Sequence, residues 1–215
     1  AQFVCRRLHN YFVSDTLDQA AIDELADVYM KSQYDIRAVM RTLFMSDAFR
    51  SRDALYARVK SPAEHVVGII RLVEDFTYPR WGIRELALET RYMGQDLLNP
   101  PSVEGWHTGK EWIDTGILVE RVNFAAEQVG DVDKPGIQRL IARLRDMGEL
   151  SDEAFVDACL DQIGPLEVSE RTQDALVNFA SKDGPLNLST GGRAAEERVG
   201  EMLQLIVATR EFQRV

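Results

Sequence analysis

The segment from Tyr92 to Trp112, YMGQDLLNPPSVEGWHTGKEW, constrains the fold more than any other part of the sequence. It shows no helical periodicity, yet it carries two of the three tryptophans, two adjacent prolines and three of the fourteen glycines. Ordering such a segment costs about 1–2 kcal/mol of backbone entropy per residue, so it needs anchors. Trp106 and Trp112 are the obvious anchors, since each tryptophan buries about 150–250 Å². We therefore predict an ordered loop over residues 92–113, of a length that is usually functional.

Outside this loop, apolar residues recur at helical spacing along most of the chain. No alternating run of β-branched residues predicts a strand. The sequence therefore predicts an all-α fold, an irregular multi-helix bundle with one long Pro/Gly/Trp loop. We predict that the first helix has five apolar residues on its inward face: Phe3, Val4, Leu8, Tyr11 and Phe12.

Several helix starts carry a recognisable capping residue. Asp18 and Asp35 each precede an apolar helical stripe and are predicted N-caps. Ser61 can cap the next helix, Pro62 suits its first position, and Glu64 completes a capping box. That helix is expected to run to about Glu74. The helix that follows is predicted from Trp81 to Met93, with Gly94 ending it in a left-handed conformation.

The stretch GDVDKPG, from Gly130 to Gly136, is the best candidate boundary within the chain. We predict a helical core over residues 1–130 and a helical segment over 131–215 that packs on it, together forming one continuous domain. The sequence opens inside an amphipathic helical pattern with no cap before it. Residue 1 is therefore interpreted as an interior position of a longer protein.

Composition and charge exclude several classes of partner. The formal net charge of −10 argues against nucleic acid, because phosphate binding uses clustered Lys and Arg. No window offers the roughly 20 apolar residues that a membrane-spanning helix needs. Cys5 and Cys159 lie far apart among apolar residues and are expected to be buried free thiols, with a disulfide left open for an exported protein. Without CxxC or paired His spacing, no metal site and no cofactor are predicted.

One internal similarity links two distant parts of the chain. Residues 42–49, TLFMSDAF, resemble residues 205–212, LIVATREF. Each ends an apolar helix with Ser or Thr and places a Phe three residues later. This pattern predicts a helix end that is closed by a hydrophobic contact.

Candidate chemistry concentrates in the central loop, where Glu104, His107 and Glu111 lie close in sequence. One interpretation makes this part of the loop a pocket rim, with His107 as an acid–base or ligand group. The other makes the loop structural, with its tryptophans buried and its polar residues in water. The residues predicted to bind a partner are Gln95, Trp106, Lys110 and Trp112.

The two remaining histidines are not selected as candidate site residues. His9 follows Arg6 and Arg7 and is expected at the surface or in an interface. His65 is followed by Val-Val-Gly and lacks the second histidine of a metal-binding helix.

Several phrases resemble a bacterial family known as domain of unknown function 1800. They are RRLHNYFVSD, DIRAVMRTLFMSDAF, VKSPAEHVVGIIR, MGQDLLNPPSVEGW with GKEW, LVERVNFA and the terminal LQLIVATREFQ. The chain resembles the C-terminal part of such proteins, and Arg210 stands where the family has proline. The resemblance implies an exported protein of the periplasm or cell envelope. It also implies an operon neighbour of sulfatase-like fold as a partner, and it supplies no catalytic residues.

The leading functional hypothesis is a non-catalytic helical module for envelope assembly or partner recognition. An aromatic loop shaped by Pro and Gly suits docking, because aromatic residues are enriched at interfaces. The alternative is a hydrolase acting on an envelope polymer or small ester at the central loop. A redox or metal carrier is a third option.

Overall fold

The computed structural model describes residues 1–76, 78, 81–164 and 166–215. Within these residues the fold is helical, and the only strands are two residues long. The all-α prediction is confirmed. The helices are α1 (Gln2–Phe12), α2 (Gln19–Lys31), α3 (Ile36–Met45), α4 (Asp47–Arg50), α5 (Pro62–Val73), α6 (Ile83–Tyr92), α7 (Thr115–Gly130), α8 (Pro135–Asp146), α9 (Asp152–Ile163), α10 (Glu170–Ala180) and α11 (Gly192–Val207). The strands are β1 (Glu149–Leu150) and β2 (Leu186–Asn187), and short 3-10 turns cover Arg52–Ala54 and Gly109–Ile113.

Backbone contacts group the chain into two compact units. The first unit contains Ala1–Lys60, Thr108–Glu111 and Arg214–Val215. The second contains Ser61–His107 and Trp112–Gln213. The predicted division at residue 130 falls inside the second unit, at the point where α7 ends.

The first unit is built on α1, α2 and α3, which surround a small apolar core. Asp18 accepts hydrogen bonds from the amides of Ala20 and Ala21, and Asp35 accepts one from Arg37, so both predicted N-caps are present. These carboxylates satisfy amides that a helix start leaves unpaired. The buried core residues are Cys5, Val13, Ile22, Leu25, Ala26, Val39 and Leu43.

The predicted inward face of α1 is confirmed for Leu8, which packs against the core of the first unit, and is wrong for Phe3 and Tyr11. The helix buries Cys5 and His9, which are one turn apart, whereas Phe3 is 71% and Tyr11 60% exposed. Two guanidinium groups cover these exposed rings: Arg7 lies 5.4 Å from the ring centre of Phe3, and Arg58 lies 5.3 Å from that of Tyr11. Cation–π contacts of this kind stabilise an aromatic ring at the surface. The spacing of apolar residues therefore selected the larger apolar side chains and missed the residues that face the core.

The second unit holds the larger core, formed mainly by α5, α7, α8, α9 and α11. The strands β1 and β2 pair in antiparallel register, with Leu150 opposite Leu186. The fully buried residues at its centre include Ile69, Val73, Ile137, Ile141, Leu144, Val199, Leu203 and Ile206.

The start of α5 satisfies its backbone amides completely. Ser61 Oγ accepts from Glu64 N at 3.2 Å, and Glu64 Oε2 accepts from Ser61 N at 2.7 Å, so the predicted capping box is confirmed. Pro62 has no amide hydrogen to pair. The amide of Ala63 donates to Gln95 Oε1 at 2.8 Å, across 32 positions of sequence. A loop side chain therefore completes the cap of a core helix.

Two helix ends share one geometry, as the internal similarity predicted. Ser46 Oγ donates to Leu43 O at 2.7 Å and accepts from Phe49 N at 3.2 Å. Thr209 Oγ1 donates to Ile206 O at 2.7 Å and accepts from Phe212 N at 3.2 Å. In each case the hydroxyl closes the helix and turns a phenylalanine back onto the core of its own unit.

Other sequence predictions hold with small shifts. Gly94 follows α6 with φ +94°, as expected for a left-handed helix end, but α6 begins at Ile83, after Gly82 at φ +102°. Cys5 and Cys159 are buried free thiols, as predicted. Across the described residues, none of the helices has the length and apolarity needed to cross a membrane.

We predict that Gln95→Ala lowers the free energy of unfolding by about 1 kcal/mol, because the Ala63 amide loses its acceptor. Urea unfolding measures this difference. Gln95→Glu is the matched control and should restore most of the loss, since its carboxylate accepts the same bond and suits a helix N-terminus. Equal stability of the wild type and Gln95→Ala would contradict the assigned cap.

Candidate functional site

The central loop leaves α6 after Tyr92 and runs without regular structure to Thr108, before the 3-10 turn at Gly109–Ile113. Its first residues are held by main-chain bonds: the amide of Gln95 donates to Thr90 O at 2.7 Å. The side chain of Gln95 turns away from solvent to cap α5. Gln95, predicted as a binding residue, therefore has its carbonyl oxygen engaged inside the fold.

Trp106 ties the far end of the loop back to its beginning. Its indole N–H donates to Asp96 O at 3.1 Å, and the side chain is half-buried. Between these two residues, the amide of Gly105 donates to Ser102 O at 3.1 Å, and Asn99 Nδ2 donates to Asp96 Oδ2 at 3.0 Å. The residues from 96 to 106 thus form a closed, internally bonded turn.

Trp112 is the deeper of the two tryptophans. Its side chain is only 8% exposed, and its indole nitrogen has no hydrogen-bond partner among the described residues. The indole is therefore held by apolar packing, which accounts for most of the energy of a buried aromatic ring. Both tryptophans are placed as anchors, one by burial and one by a hydrogen bond.

The closed turn projects apolar side chains into solvent. Leu98 is 96% exposed and Val103 is fully exposed, while Leu97 is 42% exposed. Leu98 also has φ +63°, a left-handed conformation that a branched residue rarely adopts. We call Leu97, Leu98 and Val103 the loop tip. The sequence did not single out these residues, because in an irregular segment the spacing of apolar residues does not predict which of them are exposed.

The polar candidates of the loop lie at the surface. Glu104, His107, Lys110 and Glu111 are all exposed. Glu104 and His107 belong to the second unit, and Lys110 and Glu111 to the first. Within the described residues, no group of three His, Cys, Asp or Glu side chains is arranged to hold a metal ion.

A buried arginine lies on α7 in the second unit. Arg121 is completely buried, and its Nε donates to Gln213 Oε1 at 2.8 Å. Neither Nη1 nor Nη2 has a hydrogen-bond partner among the described residues. Burial lowers the pKa of Arg121 to about 10, and the carboxylate of Glu64 opposes part of this shift. Burying a cation this deeply costs several kcal/mol of desolvation free energy, so the burial of Arg121 is electrostatically unfavourable for this unit.

His65 lies next to this arginine. Its Nε2 is 3.0 Å from Arg121 O, so this nitrogen carries the hydrogen and donates it to the carbonyl. The ring lies between Phe124 and Phe212, with ring centres 6.4 and 6.1 Å away. His65 is therefore a packed core histidine that joins α5 to α7.

The prediction that His9 lies at the surface or in an interface is wrong, because the side chain is buried within the first unit. Its side chain is 2% exposed, and neither ring nitrogen has a partner among the described residues. Burial lowers the pKa of His9, while the nearby carboxylate of Asp18 acts to raise it. The two preceding arginines suggested exposure, but His9 follows Cys5 by one helical turn and shares its buried face.

The three tryptophans provide a graded test of the loop. We expect Trp112→Ala to cost about 3–5 kcal/mol of unfolding free energy and Trp106→Ala about 2–3 kcal/mol, since Trp106 is half-buried and loses one hydrogen bond. Trp81→Ala is the control, because Trp81 is 98% exposed. It should change stability by less than about 0.5 kcal/mol. A cost for Trp106→Ala no larger than that of Trp81→Ala would show that Trp106 is not an anchor.

Comparisons with known proteins complete the description of the chain. Searches of curated proteins and of solved structures found no match. The family model described as "Protein of unknown function (DUF1800)" matches residues 1–214. That match spans all but the last residue, and the chain therefore belongs to this family, as the resemblance of its sequence phrases predicted.

Proposed function

We propose that the chain is a non-catalytic helical module that binds a partner protein through the loop tip. The observation that carries this proposal is the presentation of two fully exposed apolar side chains, Leu98 and Val103, on an internally bonded turn. A mobile loop would lose conformational entropy on binding, whereas a pre-ordered one loses little. The loop tip therefore has the properties of an anchor for an apolar pocket on another protein.

The conformation of Leu98 supports this proposal. A leucine at positive φ costs about 1–2 kcal/mol, and full exposure gains it no packing energy within the chain. Folding alone would favour Gly or Asn at such a position. Strain of this kind is concentrated at binding and switching sites. Burial of the Leu98 side chain in a partner would recover about 2 kcal/mol.

The proposed partner and location follow from the family resemblance. We propose an exported protein of the periplasm or cell envelope, whose partner is the operon-encoded neighbour of sulfatase-like fold. The acidic charge of −10 is in keeping with a protein partner and not with nucleic acid. The loop tip carries no charge of its own, so its contribution to binding should depend little on salt.

A binding measurement between the two purified proteins tests this function. We expect the variant Leu98→Asp/Val103→Asp to bind the sulfatase-like neighbour at least about tenfold more weakly than the wild type, because two apolar anchors become charged. The matched control is Val67→Asp/Val119→Asp, since both valines are exposed, at 55% and 53%, on α5 and α7. This control should bind like the wild type.

Two results would contradict the proposal. The first is no binding between the wild-type proteins, and the second is equal binding by the loop-tip variant. Turnover of an ester or envelope polymer that is lost in His107→Ala and Glu111→Gln would instead support the hydrolase alternative.

A further inference from the structure

A cavity of about 470 Å³ opens within the first unit. Its wall combines the end of α1, the segment that leads into α2, the turn after α4 and one residue near the end of the sequence. The lining residues used below are His9, Leu17, Asp18, Asp53, Leu55 and Arg214. Cavities of this size accommodate small organic molecules.

Two residues that line the cavity, His9 and Arg214, contain three buried nitrogen atoms with no hydrogen-bond partner among the described residues. They are both ring nitrogens of His9 and the Nε of Arg214. Leaving a buried polar atom unpaired costs about 1–3 kcal/mol, so native proteins contain few of them. Because these atoms belong to two residues that line one cavity, a ligand in this cavity is a candidate source of partners for the N–H groups among them.

The types of these nitrogens specify the polar end of the ligand. Arg214 Nε is a cationic donor and calls for an acceptor, which a carboxylate satisfies best. A neutral imidazole has one donor and one acceptor, and burial lowers the pKa of His9, which favours this neutral form. A carboxylate oxygen can therefore accept from His9 as well as from Arg214.

The remaining lining residues specify the other end of the ligand. Asp53 is an exposed carboxylate in the wall, whereas Asp18 already accepts hydrogen bonds from two amides of α2. A simple anion would meet the charge of Asp53 without compensation, so the ligand needs a cationic group as well. Leu17 and Leu55 add apolar surface that suits an aliphatic side chain.

We propose that this cavity binds a small zwitterion of the amino-acid type, an apolar amino acid or short peptide, with its carboxylate on Arg214 and His9 and its ammonium group beside Asp53. The three nitrogens are shielded from solvent, so binding requires a side chain to move. Arg214 is suited to this movement, because Nη1 reaches Tyr56 O only at 3.5 Å. That distance is at the limit of a hydrogen bond, and the guanidinium is therefore weakly held.

Calorimetric titration of the whole protein with four probes tests the proposal. We expect saturable binding of L-leucine or of the dipeptide leucyl-leucine, and the tighter of the two identifies the source as a free amino acid or a peptide. L-Leucinamide lacks the carboxylate, and N-acetyl-L-leucine lacks the ammonium group. Each should bind at least about tenfold more weakly than leucine, since each loses a charge-assisted hydrogen bond.

Variants assign the binding to this cavity. Arg214→Gln and Asp53→Asn should each weaken binding of the preferred probe by at least about tenfold. Arg210→Gln is the matched control, because Arg210 is an exposed arginine four positions away that does not line the cavity. Asp53→Asn changes an exposed side chain, so it preserves the test if Arg214→Gln does not fold.

Three results would overturn the proposal. The first is no saturation by leucine or leucyl-leucine up to about 10 mM, a range that covers weak millimolar affinities. The second is equal affinity for leucine and leucinamide. The third is unchanged affinity in Asp53→Asn and in any Arg214→Gln protein that folds.

Discussion

The second unit depends on the way in which the start of α5 is closed. A helix that enters a core must satisfy its first amides, and here the partners come from two places: Ser61 and Glu64 nearby, and Gln95 from the central loop. The hydrogen bond from Ala63 to Gln95 therefore has two consequences. It completes the helix, and it fixes the first residues of the loop to a helix that contributes to the larger core.

Hydrogen bonds within the loop order the residues that follow Gln95. The indole of Trp106 returns to Asp96, one residue after Gln95, so the turn between them is closed at its base. Trp112 then enters the apolar interior before α7 begins. Because both ends are held, the backbone of the loop is ordered where it exposes Leu98 and Val103. The strain at Leu98 is maintained by these surrounding contacts.

The interior contains polar groups that packing alone does not explain. Arg121 is buried in the second unit, and among the described residues its guanidinium makes a single hydrogen bond, to Gln213. His9 is buried in the first unit beside a cavity. An apolar residue of similar size would often be as stable at such positions. A buried cation and a buried imidazole are therefore candidates for roles in binding or in specifying a unique fold, and we infer a binding role at the cavity of the first unit.

Much of the fold could be predicted from local sequence, and the candidate site could be predicted only in part. Caps at Asp18, Asp35 and Ser61 were predictable because a cap depends on residues within one helical turn. The shared helix ends at Ser46 and Thr209 were predictable for the same reason.

The features that the sequence did not predict correctly depend on contacts between residues that are far apart in the chain. The buried face of α1 depends on which side α2 covers, and His9 was assigned to the surface because its neighbours in sequence are charged. Arg121 gave no signal, since an arginine in a helix is usually exposed. Gln95 stays a predicted binding residue, and its further role in capping α5 gave no sequence signal because it depends on a contact across 32 positions.

Amide hydrogen exchange of the central loop tests the account most directly. If the loop is pre-ordered, the amides of Gln95, Asn99 and Gly105, which donate to Thr90, Asp96 and Ser102, exchange at least about tenfold more slowly than in an unstructured peptide. Trp106→Phe, which removes the indole N–H, should raise the exchange rates of Asn99 and Gly105. Exchange of these amides at the unstructured rate in the wild type would contradict an ordered loop and, with it, the proposed binding role of the loop tip.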